Sequence, residues 1–495
     1  MRRSRLAASF PVLALASAAA VVALIAPAGA SNGNGNGKPP KPPRTTTTVL
    51  GTTTTTAPTT TTTTRPAGGT SFATGQLQGA TVGASGCGTN GDGEPAIHVS
   101  RANTLVLGSE RGLGGGSDAW RQLNTTAGPG ASACSLQYTG QPNAVGGVGA
   151  SGGDIDLAFG SALNSAGTYT VYVASLNGGS VSVAHSSDNG ATYTNVPVQG
   201  GLPGDDREWI AAYGADTSLL TFHDVATNDI DVLRSTNGGS TYTQVSEAIP
   251  ETDYKAGNNE LGNIVIDHRN ASPVAGGFWA YQSFVAPSSD PGLLGSAAFN
   301  EAFVAVSNDG GSTWSDQPVP CSTSNTDLDH NFPNVSVDPA GNIWTAWSDD
   351  TNVYTAVSRD HGATWTCSPK VSTNTAQAIF PWLVATSNGV DLVYYGAPTT
   401  GKSQTWSVYF AQDPTGSATG WGTPSPVVTV HSGSICESGV TCNGGRQLFD
   451  DFGVDTDQSG WAHIAYSHDS PDLGGGNTYT GYAVQTGGTA AGVPN

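Results

Sequence analysis

The chain has 495 residues, and its 38 acidic residues against 18 lysines and arginines give a net charge of −20 at pH 7. This balance disfavours nucleic-acid binding, because neutralising phosphates requires clustered basic side chains. Glycine is abundant, with 67 residues, and methionine occurs once. Such a composition is typical of many short strands joined by tight turns.

The N-terminus carries the pattern of an export signal. Arginines within the first five residues precede an apolar run over 6–25, and Ala28-Gly29-Ala30 supplies a small-residue cleavage site. Residues 1–30 are therefore predicted to be a signal peptide, which makes secretion the expected location. An apolar run of about 20 residues also suffices to span a bilayer. An uncleaved signal-anchor that tethers the protein to the cell surface is the alternative.

A low-complexity tract follows the signal segment. Residues 31–70 contain the proline-rich stretch 38–43 and threonine runs up to Thr64. A tract of this composition cannot bury a core, so we predict an extended linker or stalk. The globular domain is expected over residues 71–495. All-β repeat folds keep such lengths as one unit.

One short pattern, S-x-D/N-x-G-x-T-W/Y, recurs four times in the globular part. Its copies are Ser186–Tyr193, Ser235–Tyr242, Ser307–Trp314 and Ser358–Trp365. The Asp or Asn side chain accepts backbone hydrogen bonds and closes a turn, and the glycine gives the turn its backbone freedom. The aromatic residue then begins the next strand and packs between sheets. A structural role is therefore predicted for Asp188, Asn237, Asp309 and Asp360.

The repeats resemble the Asp-box (BNR) repeats of sialidase-type β-propellers. This resemblance implies an all-β propeller whose blades are four-stranded antiparallel sheets. Hydrophobic strand pairs with period-two alternation occur seven times, which favours seven blades. Six blades, the number in the familiar sialidase catalytic domain, is the alternative. Degenerate repeats are predicted at Ser117–Trp120 and Asp413–Gly416, and the segment 72–82 is expected to supply the outer strand of the last blade.

All six cysteines lie in the predicted globular domain. An even number behind an export signal predicts three disulfides. Pairing neighbours along the chain is the simplest connectivity and gives Cys87–Cys134, Cys321–Cys367 and Cys436–Cys442. No CxxC spacing occurs, which disfavours a zinc site or a redox motif.

Strand direction sorts the charged residues of a propeller between two faces. The first strands of the blades begin, and the second strands end, on one face of the ring, here called the mouth face. The four repeats belong on the opposite face, here called the hairpin face. In a chain with few charges, the mouth face collects Glu94, Asp154, Asp206, Glu260 and Asp450 together with further polar residues. Three interpretations are open: acid/base catalysis on a glycosidic bond, a carboxylate ring that holds calcium, or polar strand ends that face water.

We name the candidate site residues from this face. The predicted catalytic residues are Asp206, Glu260, Asp450, Asp451 and His330. The predicted substrate-binding residues are Arg207, Arg111, Arg446 and Tyr395. Their grouping follows from strand direction and from no catalytic motif. Calcium is the one cofactor that the carboxylates could hold.

The sialidase resemblance implies chemistry that this chain carries only in part. It implies three arginines on a substrate carboxylate, an aspartate acid/base and a Tyr–Glu nucleophile pair. The first arginine belongs to an Arg-Ile-Pro motif that opens the first blade, where this chain has Gly93-Glu94-Pro95-Ala96-Ile97. The arginine is therefore absent. We expect an extracellular glycan or glycoprotein as partner of a monomeric glycoside hydrolase, with a non-catalytic glycan- or protein-binding propeller as the alternative.

Overall fold

The computed structural model describes most of the globular part. The described residues are 69–111, 116–125, 127–144, 153–176, 180–198, 205–224, 227, 229–292, 297–324, 326–328, 332–436, 442, 447–469 and 477–495. The predicted signal segment, the predicted linker up to residue 68, His330 and Arg446 lie outside the described residues. The described helices are two 3-10 turns, Pro142–Ala144 and Pro320–Ser322. None of the described helices is long and apolar enough to cross a membrane.

Seven four-stranded antiparallel sheets form the blades of a propeller. The innermost strands of consecutive blades contact one another around a closed ring. The seven-bladed prediction is confirmed and the six-bladed alternative is excluded.

The strands are given blade by blade, from the axis outward. They are Gly93–Val99, Leu105–Glu110, Ser117–Gln122 and Gln137–Gly140 in blade 1; Ile155–Leu163, Tyr169–Leu176, Val181–Ser186 and Thr194–Val198 in blade 2; Asp205–Tyr213, Thr217–Asp224, Asp229–Ser235 and Thr243–Ile249 in blade 3; Glu260–Ile266, Ala280–Ala286, Glu301–Ser307 and Ser315–Pro318 in blade 4; Asn334–Val337, Ile343–Ser348, Val353–Ser358 and Thr366–Cys367 in blade 5; Gln377–Ala385, Val390–Ala397, Thr405–Asp413 and Ser425–Ser432 in blade 6; and Gly453–Thr456, Ala462–His468, Tyr479–Gly487 and Ser71–Gln76 in blade 7.

The ring is closed by a strand from the N-terminal side of the domain. Ser71–Gln76 pairs antiparallel with Tyr479–Gly487 and becomes the outer strand of blade 7. This confirms the prediction that the segment around Phe72 completes the last blade. The pairing joins positions about 400 residues apart in sequence, since Thr74 lies opposite Ala483.

The core lies between the blades. Both faces of each inner strand are covered by neighbouring sheets, so these strands are buried almost throughout, whereas the outer strands are half exposed. Aromatic side chains fill the wedge between blades. Trp209 of blade 3, for example, is 2% exposed, and its indole Nε1 donates a hydrogen bond to the carbonyl oxygen of Leu261 in blade 4 at 3.2 Å. The buried Trp209 indole therefore satisfies its polar atom across the boundary between blades 3 and 4.

The innermost strands of neighbouring blades belong to separate sheets, and polar side chains connect them. A carboxylate, amide or hydroxyl oxygen of one blade accepts a hydrogen bond from a backbone N–H of the next. The bonds run from Ile210 N–H to Asp156 (2.8 Å), from Val335 N–H to Asn263 (2.7 Å), from Leu383 N–H to Asn334 (2.8 Å), from Ala385 N–H to Ser336 (3.0 Å) and from Val99 N–H to Asp455 (2.7 Å). They satisfy N–H groups of the inner strands around the channel.

The four repeats form the hairpins between the third and fourth strands of blades 2 to 5, on the hairpin face. In the third copy, Asp309 accepts hydrogen bonds from the Ser307 hydroxyl (2.9 Å), the Thr313 N–H (2.9 Å) and the Thr313 hydroxyl (2.7 Å). Burial would raise the pKa of Asp309, but these hydrogen bonds hold it below its ordinary value. Gly311 lies against Leu219 of the preceding blade, so each hairpin also packs between blades.

One degenerate repeat is confirmed as a turn and the other prediction is wrong. Asp413 closes the equivalent hairpin of blade 6, accepting from the N–H groups of Thr415 and Ala418 at 2.9 Å each. Ser117–Trp120, by contrast, lies inside the strand Ser117–Gln122 of blade 1. This segment has the Asp and the aromatic residue but no glycine between them, so nothing in it bends the chain.

Replacing Asp309 with alanine should lower the free energy of unfolding by about 1 to 2 kcal/mol, because several hydrogen bonds in one turn are lost. The chain offers a matched control in its second repeat, where Asn237 replaces the aspartate. The Asn237 carbonyl accepts from Thr241 N–H at 3.1 Å, and its amide donates to the Thr241 hydroxyl at 2.9 Å. Asp309→Asn should therefore retain most of the stability in a urea titration. Equal losses in the two variants would contradict the role assigned to this side chain.

Three disulfides connect the cysteines in the predicted pairs, Cys87–Cys134, Cys321–Cys367 and Cys436–Cys442. Disulfides are typical of proteins from oxidising, extracellular compartments. The first bridge follows the strand that closes the ring and ties it to blade 1.

The two bridges with the most different loops should differ in their contribution to stability. Cys87 and Cys134 are 47 residues apart, and Cys436 and Cys442 are 6 apart. In the chain-entropy account the long loop stabilises by about 4 kcal/mol and the short one by about 2 kcal/mol. We expect the double serine variant at 87 and 134 to lose about twice as much unfolding free energy as that at 436 and 442. The reverse order in denaturant titrations would contradict this account.

Candidate functional site

The first strands of three blades begin with the same irregularity. Strand pairing shifts register between Gly93 and Ala96, between Asp206 and Trp209, and between Ile379 and Trp382. Inside each shift one residue adopts a left-handed backbone: Glu94 (φ 54°), Arg207 (φ 53°) and Phe380 (φ 51°). A β-bulge changes the direction in which a side chain points from the strand. A non-glycine residue adopts a left-handed backbone only at an energetic cost. Strain is therefore concentrated where the strands reach the mouth face.

Arg207 lies at the centre of the mouth face. Its Nη2 is 2.7 Å from a carboxylate oxygen of Glu94, and its Nη1 is 3.5 Å from one of Asp154. Asp450 and Asp451 each place an oxygen 3.8 Å from the guanidinium. These residues belong to blades 1, 2, 3 and 7. Since blades 1 and 3 are not neighbours, Glu94 and Arg207 meet over the central channel.

Aromatic rings enclose the guanidinium on its remaining sides. The Arg207 side chain is only 9% exposed. Its Cζ lies 3.8 Å from the ring centroid of Phe332 and 5.6 Å from that of Trp209. Cation–π contacts of this kind favour a charged group that has lost its water. Arg207 is thus a fixed positive charge that organises the carboxylates around it.

The carboxylates outnumber this positive charge. Burial alone would lower the pKa of Arg207, but Asp154, Glu94, Asp451 and Glu260 raise it well above its ordinary value, so the guanidinium stays charged. Burial raises the pKa of Asp451 well above its usual range, although Arg207 opposes this. The mouth therefore combines ionised carboxylates with at least one carboxyl group that favours its protonated form.

Exposure divides the site into a floor and a rim. Glu94, Arg207 and Asp451 are buried and form the floor. Asp154, Glu260 and Asp450 are half-buried, and Asp206 is exposed to solvent. Crowding of the Asp206 carboxyl by surrounding protein, and then the negative charge of Asp154, raise the pKa of Asp206. A solvent-accessible carboxyl group with a raised pKa beside an ionised one is suited to donating a proton.

Glu208 adds a buried acid next to this pair. It is 1% exposed, and neither carboxyl oxygen has a hydrogen-bond partner among the residues that the structure describes. Burial, and then the charge of Asp154, raise the pKa of Glu208 well above its ordinary value. Burial therefore favours the uncharged form of Glu208, which would reduce repulsion between carboxyl groups beneath the rim.

The structure brings together most of the residues predicted for catalysis. Asp450 and Asp451 each lie 3.8 Å from the Arg207 guanidinium, and Asp206 and Glu260 interact electrostatically with Arg207. His330 and Arg446 lie outside the described residues. The sequence placed Glu94 and Asp154 on the same face, but they were not selected as site residues. The position of Glu94 and Asp154 at the starts of first strands places them on the mouth face. This position does not show how close their carboxylates come to Arg207.

Two residues predicted to bind substrate lie elsewhere. Tyr395 is fully buried, stacked on Phe452 with 4.0 Å between ring centroids, and its hydroxyl accepts a hydrogen bond from Ser467 N–H at 2.8 Å. It packs between blades 6 and 7 and presents no surface to a ligand. The prediction failed because a residue near a strand end can face a neighbouring blade instead of the mouth.

Arg111 also faces away from the floor. Its guanidinium lies 3.5 Å from Asp92 and 3.9 Å from Asp118, both of which are buried. Burial, and then the charge of Asp118, raise the pKa of Asp92 to about 8. Arg111 thus partly compensates a buried pair of acids in blade 1. A triad of Arg111, Arg207 and Arg446 around one ligand is not supported.

One group of carboxylates at the mouth has the spacing of a metal site. Glu94, Glu110 and Asp154 each place an oxygen within 4.8 Å of the other two. Arg207 already contacts Glu94 and Asp154, so its guanidinium supplies positive charge to this group. Calcium is therefore not required to explain how these carboxylates are held together.

No known sequence family and no curated protein matches the chain. Solved structures with a similar chain path include a GH74 enzyme from Niastella koreensis (15% identity, TM-score 0.46), an α-L-arabinofuranosidase from Fusarium graminearum (12%, 0.41) and a PL25 ulvan lyase (10%, 0.44). The aligned regions cover 82%, 84% and 83% of this chain, and 53%, 98% and 94% of the respective structures. This chain thus spans about half the length of the first. Identities this low do not bear on activity.

Proposed function

We propose that the chain is an extracellular, glycan-active propeller of the sialidase-like superfamily that hydrolyses glycosidic bonds at its mouth face. The observation that carries the proposal is the group of carboxylates from several blades around the fixed charge of Arg207. The four repeats, and the scarcity of helix in the described part of the chain, support the superfamily assignment at the level of architecture.

Asp206 and Asp154 form the proposed catalytic pair. Glycosidases use one protonated and one ionised carboxyl group on either side of the scissile bond. Asp206 is accessible and its pKa is raised, so it can protonate the leaving oxygen. Arg207, 3.5 Å away, stabilises the charge of Asp154, which can act as nucleophile or activate water. The two carboxyl groups are close enough for the charge of one to affect the titration of the other, as this mechanism requires.

The remaining carboxylates bind the sugar in this proposal. Glu260 and Asp450 are half-buried at the rim, where carboxylate oxygens can accept hydrogen bonds from sugar hydroxyl groups. Asp451 and Glu94 hold Arg207 in place from below. Arg207 acts as a positioning residue, because its guanidinium is enclosed by carboxylates and rings and does not reach a ligand directly.

The charge of the mouth favours a neutral glycan as the substrate in this proposal. Among the described residues Arg207 is the one arginine on the floor, and four carboxylates already surround it. Glu94 occupies the region where the resemblance implies an arginine. An anionic sugar such as sialic acid would be repelled by this mouth, and the net charge of −20 adds to the repulsion. The proposal therefore keeps the architecture of the superfamily and departs from sialidase chemistry.

The test is a hydrolysis screen of the purified full chain on neutral polysaccharides and on sialosides, followed by a glycan array. We expect reducing ends to be released from a neutral polysaccharide, and no sialic acid to be released. Binding on the array without turnover of any substrate would support a non-catalytic binding propeller instead. Preferential cleavage of sialosides would overturn the substrate assignment.

A further inference from the structure

A second group of carboxylates lies in blade 3, on the side of the sheet that packs towards blade 2. Asp205 is directly opposite Asp224, and Asp224 is directly opposite Asp229, on three neighbouring strands. Residues paired in this way share one face of a sheet. Asp231 follows Asp229 by two positions and so shares this face. All four are buried, with exposures of 2% to 5%.

The spacing of these oxygens is that of ligands around one ion. Asp224, Asp229 and Asp231 each offer a carboxylate oxygen, and the three atoms lie within 4.8 Å of one another. Oxygens on opposite sides of a calcium ion are separated by about twice the Ca–O distance of about 2.4 Å. Buried like charges this close are unfavourable unless a positive partner is present.

Asp205 provides independent evidence of a missing partner. It is 4% exposed, and within the described part of the chain no donor forms a hydrogen bond with its Oδ1. Asp205 pairs directly with Asp224, so its carboxylate lies on the face of the sheet that carries the cluster. No described lysine or arginine forms a salt bridge with Asp205, Asp229 or Asp231.

We propose that Asp205, Asp224, Asp229 and Asp231 bind a calcium ion. Calcium takes six to eight hard oxygen ligands in flexible geometry, which suits four carboxylates from three strands. Magnesium fits less well because it demands strict octahedral geometry and retains several waters. The ion would add positive charge between these carboxylates and reduce their mutual repulsion.

The site has a consequence for the mouth of the propeller. Asp205 begins the strand Asp205–Tyr213, and the next two residues are Asp206 and Arg207. A cation on Asp205 fixes the start of this strand and so positions both residues. The calcium proposal does not depend on the hydrolytic one, since an ion can stabilise the domain whether or not the mouth is catalytic.

The test is thermal unfolding of the full chain after treatment with a chelator, with and without millimolar calcium. Calcium should raise the melting temperature of the wild type by at least about 2 °C, because the ion binds only the folded state. Asp231→Asn should abolish most of this shift. The same variant should melt higher than the wild type in chelator, since one of the mutually repelling charges is gone.

Asp391→Asn is the matched control. Asp391 is a fully buried carboxyl group in blade 6 that accepts a hydrogen bond from the Gln412 amide, as Asp231 does from Gln244. The chain shows no metal-like group around Asp391 among the described residues. This variant should retain the full calcium shift.

Direct binding separates the remaining outcomes. Equilibrium dialysis with radioactive calcium should show one fewer bound ion per chain in Asp231→Asn than in the wild type. If Asp231→Asn does not fold, Asp205→Asn replaces it in both measurements. Equal calcium shifts in the wild type and the folded variant, or an equal shift with magnesium in place of calcium, would overturn the assignment.

Discussion

Asp206→Asn is expected to reduce turnover of the neutral glycan at least about a hundredfold while leaving the melting temperature nearly unchanged. An amide cannot donate the proton that the leaving group needs, and loss of general acid catalysis typically costs 10²- to 10⁴-fold. The fold should tolerate the change, because Asp206 is exposed. Measurements of kcat/KM and of thermal unfolding on the same preparation check both parts.

The pH profile distinguishes an acid catalyst from a residue that only binds. The raised pKa of Asp206 keeps its carboxyl group protonated to higher pH than an ordinary aspartate, so activity should fall on the alkaline side as this group ionises. The alkaline limb should disappear from the residual activity of Asp206→Asn. Asp309→Asn is the control, because it makes the same chemical change on the hairpin face. This variant should retain full activity and the alkaline limb of the pH profile. An unchanged kcat in Asp206→Asn would contradict the proposed role.

Arg207→Met is expected to destabilise the domain by about 3 to 5 kcal/mol at neutral pH. Removing one partner of a buried ionic cluster leaves the others uncompensated. Here Glu94, Asp154, Asp450 and Asp451 would lose the charge that lies between 2.7 and 3.8 Å from their oxygens. Denaturant titration at pH 7 measures the loss.

The loss should shrink as the pH falls. Arg207 lowers the pKa of Asp451 in the wild type, so without the guanidinium the pKa of Asp451 in the folded variant rises further above that of an unfolded aspartate, about 3.9. The folded state then binds more protons than the unfolded state, so lowering the pH from 7 towards 5 stabilises the variant relative to the wild type. Adding Glu94→Gln should recover part of the loss, since the two residues are coupled.

Arg359→Met is the matched control for this substitution. Arg359 is exposed and donates one hydrogen bond to the carbonyl oxygen of Gly416. Surface changes of this kind usually stay within about 0.5 kcal/mol. Equal losses for Arg207→Met and Arg359→Met would show that the cluster at the mouth is not held by its arginine.

The sequence by itself determined the architecture of this protein and which residues lie on the mouth face or on the hairpin face. Period-two alternation identifies strands, and the turn chemistry of Asp188 or Asp309 depends only on residues within one hairpin. The blade number, the closing strand near Phe72 and the division into two faces therefore follow from local patterns. The disulfide prediction succeeded because the paired cysteines are close neighbours along the chain. The prediction of a turn at Ser117–Trp120 was wrong, because an aspartate followed by an aromatic residue, without the glycine of the motif, also occurs in ordinary strands.

Only the tertiary structure decided which side chains meet at the mouth. Glu94 and Arg207 are 113 residues apart in sequence and belong to blades 1 and 3, which are not neighbours in the ring. No local sequence pattern therefore encodes their contact. Tyr395 and Arg111 lie near the ends of similar strands, yet they face a neighbouring blade and a buried acid pair. The orientation of each side chain depends on bulges, blade packing and ring closure. These are set by the whole ring, because each blade is positioned by both of its neighbours.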